Sequence, residues 1–263
     1  MADVKYKLRA PDAVGSILEF ADMDGFFVGN RSSYENFERP DETPSYRLSL
    51  AVHGLKTSPE WEWHYDEPLN LPGDVNLEIL NEDGNSIGGY DLWNVKIALA
   101  SPGACAGNVQ ATVSWLPHAG ARSVWESWRV APPADTNQWW SIPIGRREGW
   151  VEVARISRIS VRPVGRGIVL DGRGIVDLAS FFCAIGEAVH GPGGYFGSNF
   201  MALFDCLRRL PRADGSPVHL RWLDFAVAER HLSRVVDTET GPARYIDIVL
   251  ETLSDADVAV ILE

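Results

Sequence analysis

No apolar run in this chain of 263 residues approaches the ~18–20 needed to cross a bilayer as a helix, so no membrane partner is expected. Cysteine is scarce. The three present (Cys105, Cys183 and Cys206) are widely spaced, odd in number and without a CxxC pair, so neither a disulfide framework nor a zinc motif follows. Cys183 and Cys206 lie in apolar contexts and are expected as buried free thiols. The six histidines show no HxxxH or HxH spacing. There is no GxSxG, no P-loop and no GxGxxG after a strand, so no catalytic residue, cofactor or metal ligand is assigned. Positive charge is also short: 24 Lys and Arg against 36 Asp and Glu leave a formal charge of −12. Direct nucleic-acid binding needs a cationic surface and is not expected. An acidic chain can still be steered towards a basic protein. The opening residues lack the apolar core of a secretory leader, and with the reduced thiols this predicts a cytoplasmic location.

Tryptophan, by contrast, is abundant. Nine of the ten precede residue 151: Trp61, Trp63, Trp93, Trp115, Trp125, Trp128, Trp139, Trp140 and Trp150. Such rings more often fill a core than line a binding platform, and one of the Trp139–Trp140 pair is the best candidate for exposure. Residues 4–8 alternate with lysines and read as a strand, and short apolar stretches between turn signals suggest further strands near 17–21, 26–28, 46–52, 75–80, 91–99, 109–115, 139–142 and 150–156. Residues 29–45 read as a loop, Asp22-Met-Asp-Gly25 and Asn81-Glu-Asp-Gly-Asn85 as turns, and 120–128 as a short helix. Frequent short strands punctuated by Gly and Pro predict a mostly antiparallel domain over residues 1–162, either sandwich or barrel. The arginines of the 151–162 stretch read as the solvated face of its last strand.

Pro163-Val-Gly165 marks a linker over residues 163–166, after which the pattern turns α/β. Strands are predicted at 167–170, 218–222 and 258–262, the last apolar enough for a covered parallel sheet. Asp177 is placed to cap a helix whose apolar stripe is Leu178, Phe181, Phe182, Ile185 and Val189. Asp224 starts another helix, and Thr240-Gly-Pro242 reads as the opening of a last one. Between the first helix and the second strand, Gly191-Pro-Gly-Gly forms a glycine loop, and Ser198 or Asn199 caps a short helix. Phe200, Leu203, Phe204 and Leu207 share its buried face, whereas Met201, Asp205 and Arg208 fall on another.

Residues 167–263 resemble the barstar family of ribonuclease inhibitors. The most specific match is Tyr195-Phe-Gly-Ser-Asn-Phe-Met-Ala-Leu-Phe-Asp-Cys-Leu207, supported by the β-α-α-β-α-α-β order and by Trp222-x-x-Phe225. The resemblance implies a three-stranded parallel sheet with helices, and a non-enzymatic role. The loop and second helix would plug a ribonuclease-like protein at its basic active site. Tyr195 would pack over the substrate surface, Gly197 and Asn199 would shape the loop, and Asp205 would stand where an RNA phosphate binds. Glu251 corresponds to a fourth-helix glutamate. Met201 replaces a family aspartate, which implies a different target surface, and the chain's acidity is not concentrated on this part. The alternative is a binding module in which the Trp-rich domain recognises a ligand or protein and the barstar-like domain is a scaffold.

Overall fold

The structure, a computed structural model, describes residues 3–10, 15–30, 45–59, 61–158, 167–212, 216–238 and 241–263. The linker expected at 163–166 and most of the loop expected at 29–45 lie outside them. The chain divides into two compact units: one holds the described residues as far as Pro132 with 156–158, the other Pro133–Arg155 with 167–263.

The first unit is an antiparallel sheet of eight segments: β1 (Tyr6–Arg9), β2 (Leu18–Phe20), β3 (Asp22–Asp24), β4 (Tyr46–His53), β5 (Lys56–Thr57), β6 (Leu69–Leu80), β7 (Ser86–Leu99) and β8 (Ala106–Val113). Their order is β3-β4-β8-β7-β6-β1-β2-β5. The two ends of that order belong to the same two stretches of chain. Leu18 and Glu19 pair with Thr57 and Lys56, and in the same register Asp22, Met23 and Asp24 pair with His53, Val52 and Ala51. The other side of β2 pairs with β1. The sheet therefore closes on itself as a barrel, one of the two forms expected. Alternation along the strands sends Tyr6, Leu8, Phe20, Met23, Leu77, Ile79, Leu92 and Ile97 into the core.

Asp22-Met-Asp24 is thus strand rather than turn, and the chain reverses only at Gly25 (φ 86°). Asp22 Oδ1 accepts from Arg122 at 2.7 Å. The Asn81–Asn85 hairpin is as expected, closed by Asn81 N donating to Asn85 O. Helix α1 (Ala121–Val130) buries Trp125 and Trp128, and the Trp125 indole donates to Tyr90 Oη at 3.1 Å.

The second unit starts earlier than the linker read from composition. Its first part is a short 3-10 turn (Gln138–Ser141) and helix α2 (Glu148–Ile156), both in place of expected strands. Asn137 in the left-handed region (φ 67°) begins the turn, and the helix presents Trp150, Val151, Val153 and Ala154 inward. There follow β9 (Gly167–Asp171), α3 (Leu178–His190), α4 (Phe200–Arg208), β10 (Val218–Leu223), α5 (Phe225–His231), β11 (Val235–Thr238), β12 (Gly241–Arg244), α6 (Tyr245–Asp255) and β13 (Val258–Leu262). β9 and β13 flank β10 in a three-stranded parallel sheet, as expected. Gly241-Pro242 does not open a helix, Thr240 lying outside the described residues: Pro242 pairs with Asp237 where β12 runs antiparallel to β11. Helix α6 begins after Arg244, whose guanidinium pairs with Asp247 at 2.6 Å.

Helix α3 is more deeply buried than its expected stripe. Ala179, Ser180, Cys183, Ala184, Gly186 and Glu187 are covered as well, because Pro133–Arg155 packs on it. Arg147 donates to Ser180 Oγ at 2.7 Å, the Cys183 thiol donates to Arg147 O at 3.8 Å, and the Trp139 indole donates to Glu187 Oε2 at 3.0 Å. A helix apolar on most of its circumference needs a second cover, and this segment supplies it.

Candidate functional site

The glycine loop leaves α3 at its C-cap. Gly191 N donates to Glu187 O at 2.9 Å, with Gly191 at φ 83° and Gly193 at φ 69°. The loop then folds back on the helix that produced it. A Cβ on Gly186 would lie 2.2 Å from the Gly194 carbonyl oxygen, so the backbones approach closer than any side chain allows. Phe196 is buried, with its ring 5.8 Å from that of His190. Gly197 (φ 96°) then turns the chain against the start of α4, and a Cβ there would lie 2.8 Å from Leu203 N.

Of the two candidate caps, Asn199 is the one used: its Oδ1 accepts from Ala202 N at 2.8 Å. Ser198 instead accepts from the Tyr195 hydroxyl at 3.3 Å. Tyr195 is half-buried. Burial pushes its phenol above the ordinary value, and the Ser198 hydrogen bond and the Arg155 cation oppose that. Tyr195, Gly197 and Asn199 thus form one continuous, ordered entry into α4.

Along α4, Phe200, Leu203 and Leu207 are buried. Phe204 is only half-buried, with the Arg208 guanidinium 5.6 Å above its ring, so the expected four-residue buried face has three members. Met201 is 54% exposed, and Asp205 and Arg208 are exposed on the same side of the helix. Glu251 is exposed on α6, which packs against α4, with the Phe200 and Tyr245 rings 6.2 Å apart. Among the described residues Asp205 and Glu251 have no ion-pair partner within the chain. The structure brings Tyr195 to Asp205 together on one loop-helix and puts Glu251 on the neighbouring helix.

Reading the sequence missed the support beneath this surface. Glu187 was covered by the expectation of a simple apolar stripe, yet an acidic residue in the last turn of an otherwise apolar helix opposes the helix dipole and signals a specific partner. Its Oε2 accepts from Asn137 N at 2.7 Å and from Trp139 Nε1 at 3.0 Å, while Oε1 faces Gly193 N at 3.5 Å. Burial raises its pKa, and these three donors pull against the rise. Trp139 is fully buried, Trp140 is the exposed member of the pair, and the Arg173 guanidinium lies 5.6 Å from the Trp140 ring.

A three-stranded parallel sheet with helices packed on it, presenting a capped loop-helix with a carboxylate that has no ion-pair partner among the described residues, makes this a small α/β unit. Residues 166–256 match the family model for Barstar (barnase inhibitor). The match is confined to this C-terminal segment, and no family model covers the rest. No curated protein and no solved structure matches the chain. The segment upstream of residue 166 that packs on α3, and strand β13, lie outside the matched residues.

Proposed function

We propose that the chain is a non-enzymatic, cytoplasmic inhibitor or immunity protein for a ribonuclease-like toxin, with residues 191–208 as its plug. The observation that carries this reading is the exposed, unpaired Asp205 on a rigidly capped helix within the Barstar-matched segment. A carboxylate held in place can satisfy an arginine or lysine evolved for phosphate, with little ordering cost on binding. The rest of the surface sets the kind of target. Met201 offers an apolar, adaptable contact one turn before Asp205, and Arg208 adds a cation one turn after it. The target site should therefore combine a cationic pocket with an apolar neighbour, rather than a uniformly basic floor.

The alternative in which tryptophans recognise the ligand gains no support from the barrel. Trp125 and Trp128 are buried there, and Trp61, Trp63, Trp93 and Trp115 are half-buried.

Asp205→Ala is expected to weaken binding of a captured ribonuclease by at least about 2 kcal/mol, the loss typical of a desolvated hot-spot carboxylate. The check is calorimetric titration of that ribonuclease with wild-type and variant full-length chain, alongside inhibition of RNA cleavage. Unchanged affinity would remove the phosphate-mimic role.

A further inference from the structure

The glycine loop rests on a carboxylate that the upstream segment also holds. Glu187 is only 5% exposed, and a carboxylate so buried persists only where hydrogen-bond donors replace its water. Here the donors come from two separate pieces of chain. Asn137 N and Trp139 Nε1 both reach Oε2, and Gly193 N approaches Oε1. The upstream piece is itself fixed. The Arg147 side chain is buried, donates through Nε to Ile142 O at 3.1 Å and through Nη1 to Ser180 Oγ, and lies 5.1 Å from the Trp139 ring centroid. Asn137 also donates through Nδ2 to Asp171 Oδ2 at 3.4 Å. Since Gly194 lies against Gly186 with no room for a Cβ, a shift of Glu187 must be felt by the loop.

We propose that Glu187 is a positioning residue through which the 137–139 turn sets the conformation of the glycine loop, so that the partner-binding unit begins at Pro133. This rests on the loop-α4 surface being the binding site, but its test is made on the free protein. The two carboxylate oxygens have different tasks, which a substitution can separate. In Glu187→Gln the remaining oxygen can still accept from Asn137 N and Trp139 Nε1. The new amide nitrogen then faces Gly193 N, donor to donor, and the loop contact is lost. Trp139→Phe acts from the other end: it removes an indole donor that bonds Glu187 and not the loop.

Amide exchange measured by NMR on the full-length chain decides the matter. Glu187→Gln is expected to speed exchange at Gly193 and Gly194 about tenfold, as the loss of a hydrogen bond to a charged acceptor does, while the Trp139 indole proton keeps its hydrogen-bonded shift. Trp139→Phe is expected to speed the same loop amides several-fold at unchanged exchange in β10, although it touches no loop donor. Unchanged loop exchange in both variants overturns the proposal. So does an equal acceleration throughout the unit, which would make Glu187 merely structural. Neither result depends on Asp205 or on any target, so this inference can fail while the inhibitor reading stands, or the reverse.

Discussion

A fragment starting at Gly167 is expected to be at least about 4 kcal/mol less stable than one starting at Pro133. The shorter fragment begins where composition places the domain and lies almost wholly within the Barstar-matched residues, so it is the natural one to make. It would nevertheless strip α3 of its second cover. Trp139 is buried there, its indole on Glu187 and its ring against Gly174, and removing even one such large side chain costs about 3–5 kcal/mol. Glu187 would lose its two best donors, and Ser180 its bond to Arg147. A group left buried without partners costs more than the bond itself was worth. Some of the exposed surface would re-hydrate, which is why the figure is a floor well below the sum. Urea unfolding of the two fragments, followed by far-UV circular dichroism, gives the comparison. Equal midpoints and slopes would mean that Pro133–Arg155 contributes nothing to the fold.

Gly197→Ala should cost about 3 kcal/mol and displace the loop from the head of α4. Two effects add. The backbone sits at φ 96°, where a side chain is strained by about 1–2 kcal/mol. The new Cβ would also lie 2.8 Å from Leu203 N and 2.9 Å from Leu203 Cα, and both are backbone atoms of a helix with nowhere to retreat. Overpacking of that kind costs about 1–3 kcal/mol. The protein can relieve the overlap only by moving the loop, so the cap from Asn199 to Ala202 and the Tyr195–Ser198 bond should loosen together. The measurement is denaturant unfolding of the fragment from Pro133, with the Tyr195 ring resonances reporting the loop. A variant with unchanged stability and an unchanged Tyr195 spectrum would contradict the geometry.

The parts legible in the sequence were those where local chemistry and tertiary environment agree. Asp177 and Asn199 are cap residues followed by amphipathic runs, and both cap helices. The apolar 258–262 stretch is a parallel strand, though only Val258 is buried and Ile261 and Leu262 are exposed, and short punctuated strands do form an antiparallel barrel. The failures fall where a third piece of chain decides. Val151-Glu-Val-Ala-Arg-Ile156 is rich in β-branched residues and reads as a strand. It forms a helix that buries Trp150, Val151, Val153 and Ala154 together, in an environment that no window of sequence contains. Pro242 suits the first turn of a helix equally well, and the pairing of β12 with β11 overrides that preference. The site itself was half visible. Tyr195, Gly197, Asn199, Met201 and Asp205 sit on one motif, so their placement follows from local rules. Glu187 and Asn137 are fifty residues apart, and only the fold shows that they share a carboxylate.

Closure of the barrel has a consequence for association between molecules. A strand with a neighbour on each side has no free row of amides and carbonyls to offer another chain, whereas an open sheet always leaves two such rows. In the second unit these belong to β9 and β13, each hydrogen-bonded only to β10 among the described residues. β13 is nearly continuous in apolar side chains, with Ile261 50% exposed. It is guarded at its tip by charge: Glu263 pairs with Arg221 at 2.9 Å, and its backbone is tied to Trp222 and Phe225. Strand-to-strand association would therefore start from these two edges rather than from the barrel. The Arg221–Glu263 pair serves as the gatekeeper of β13.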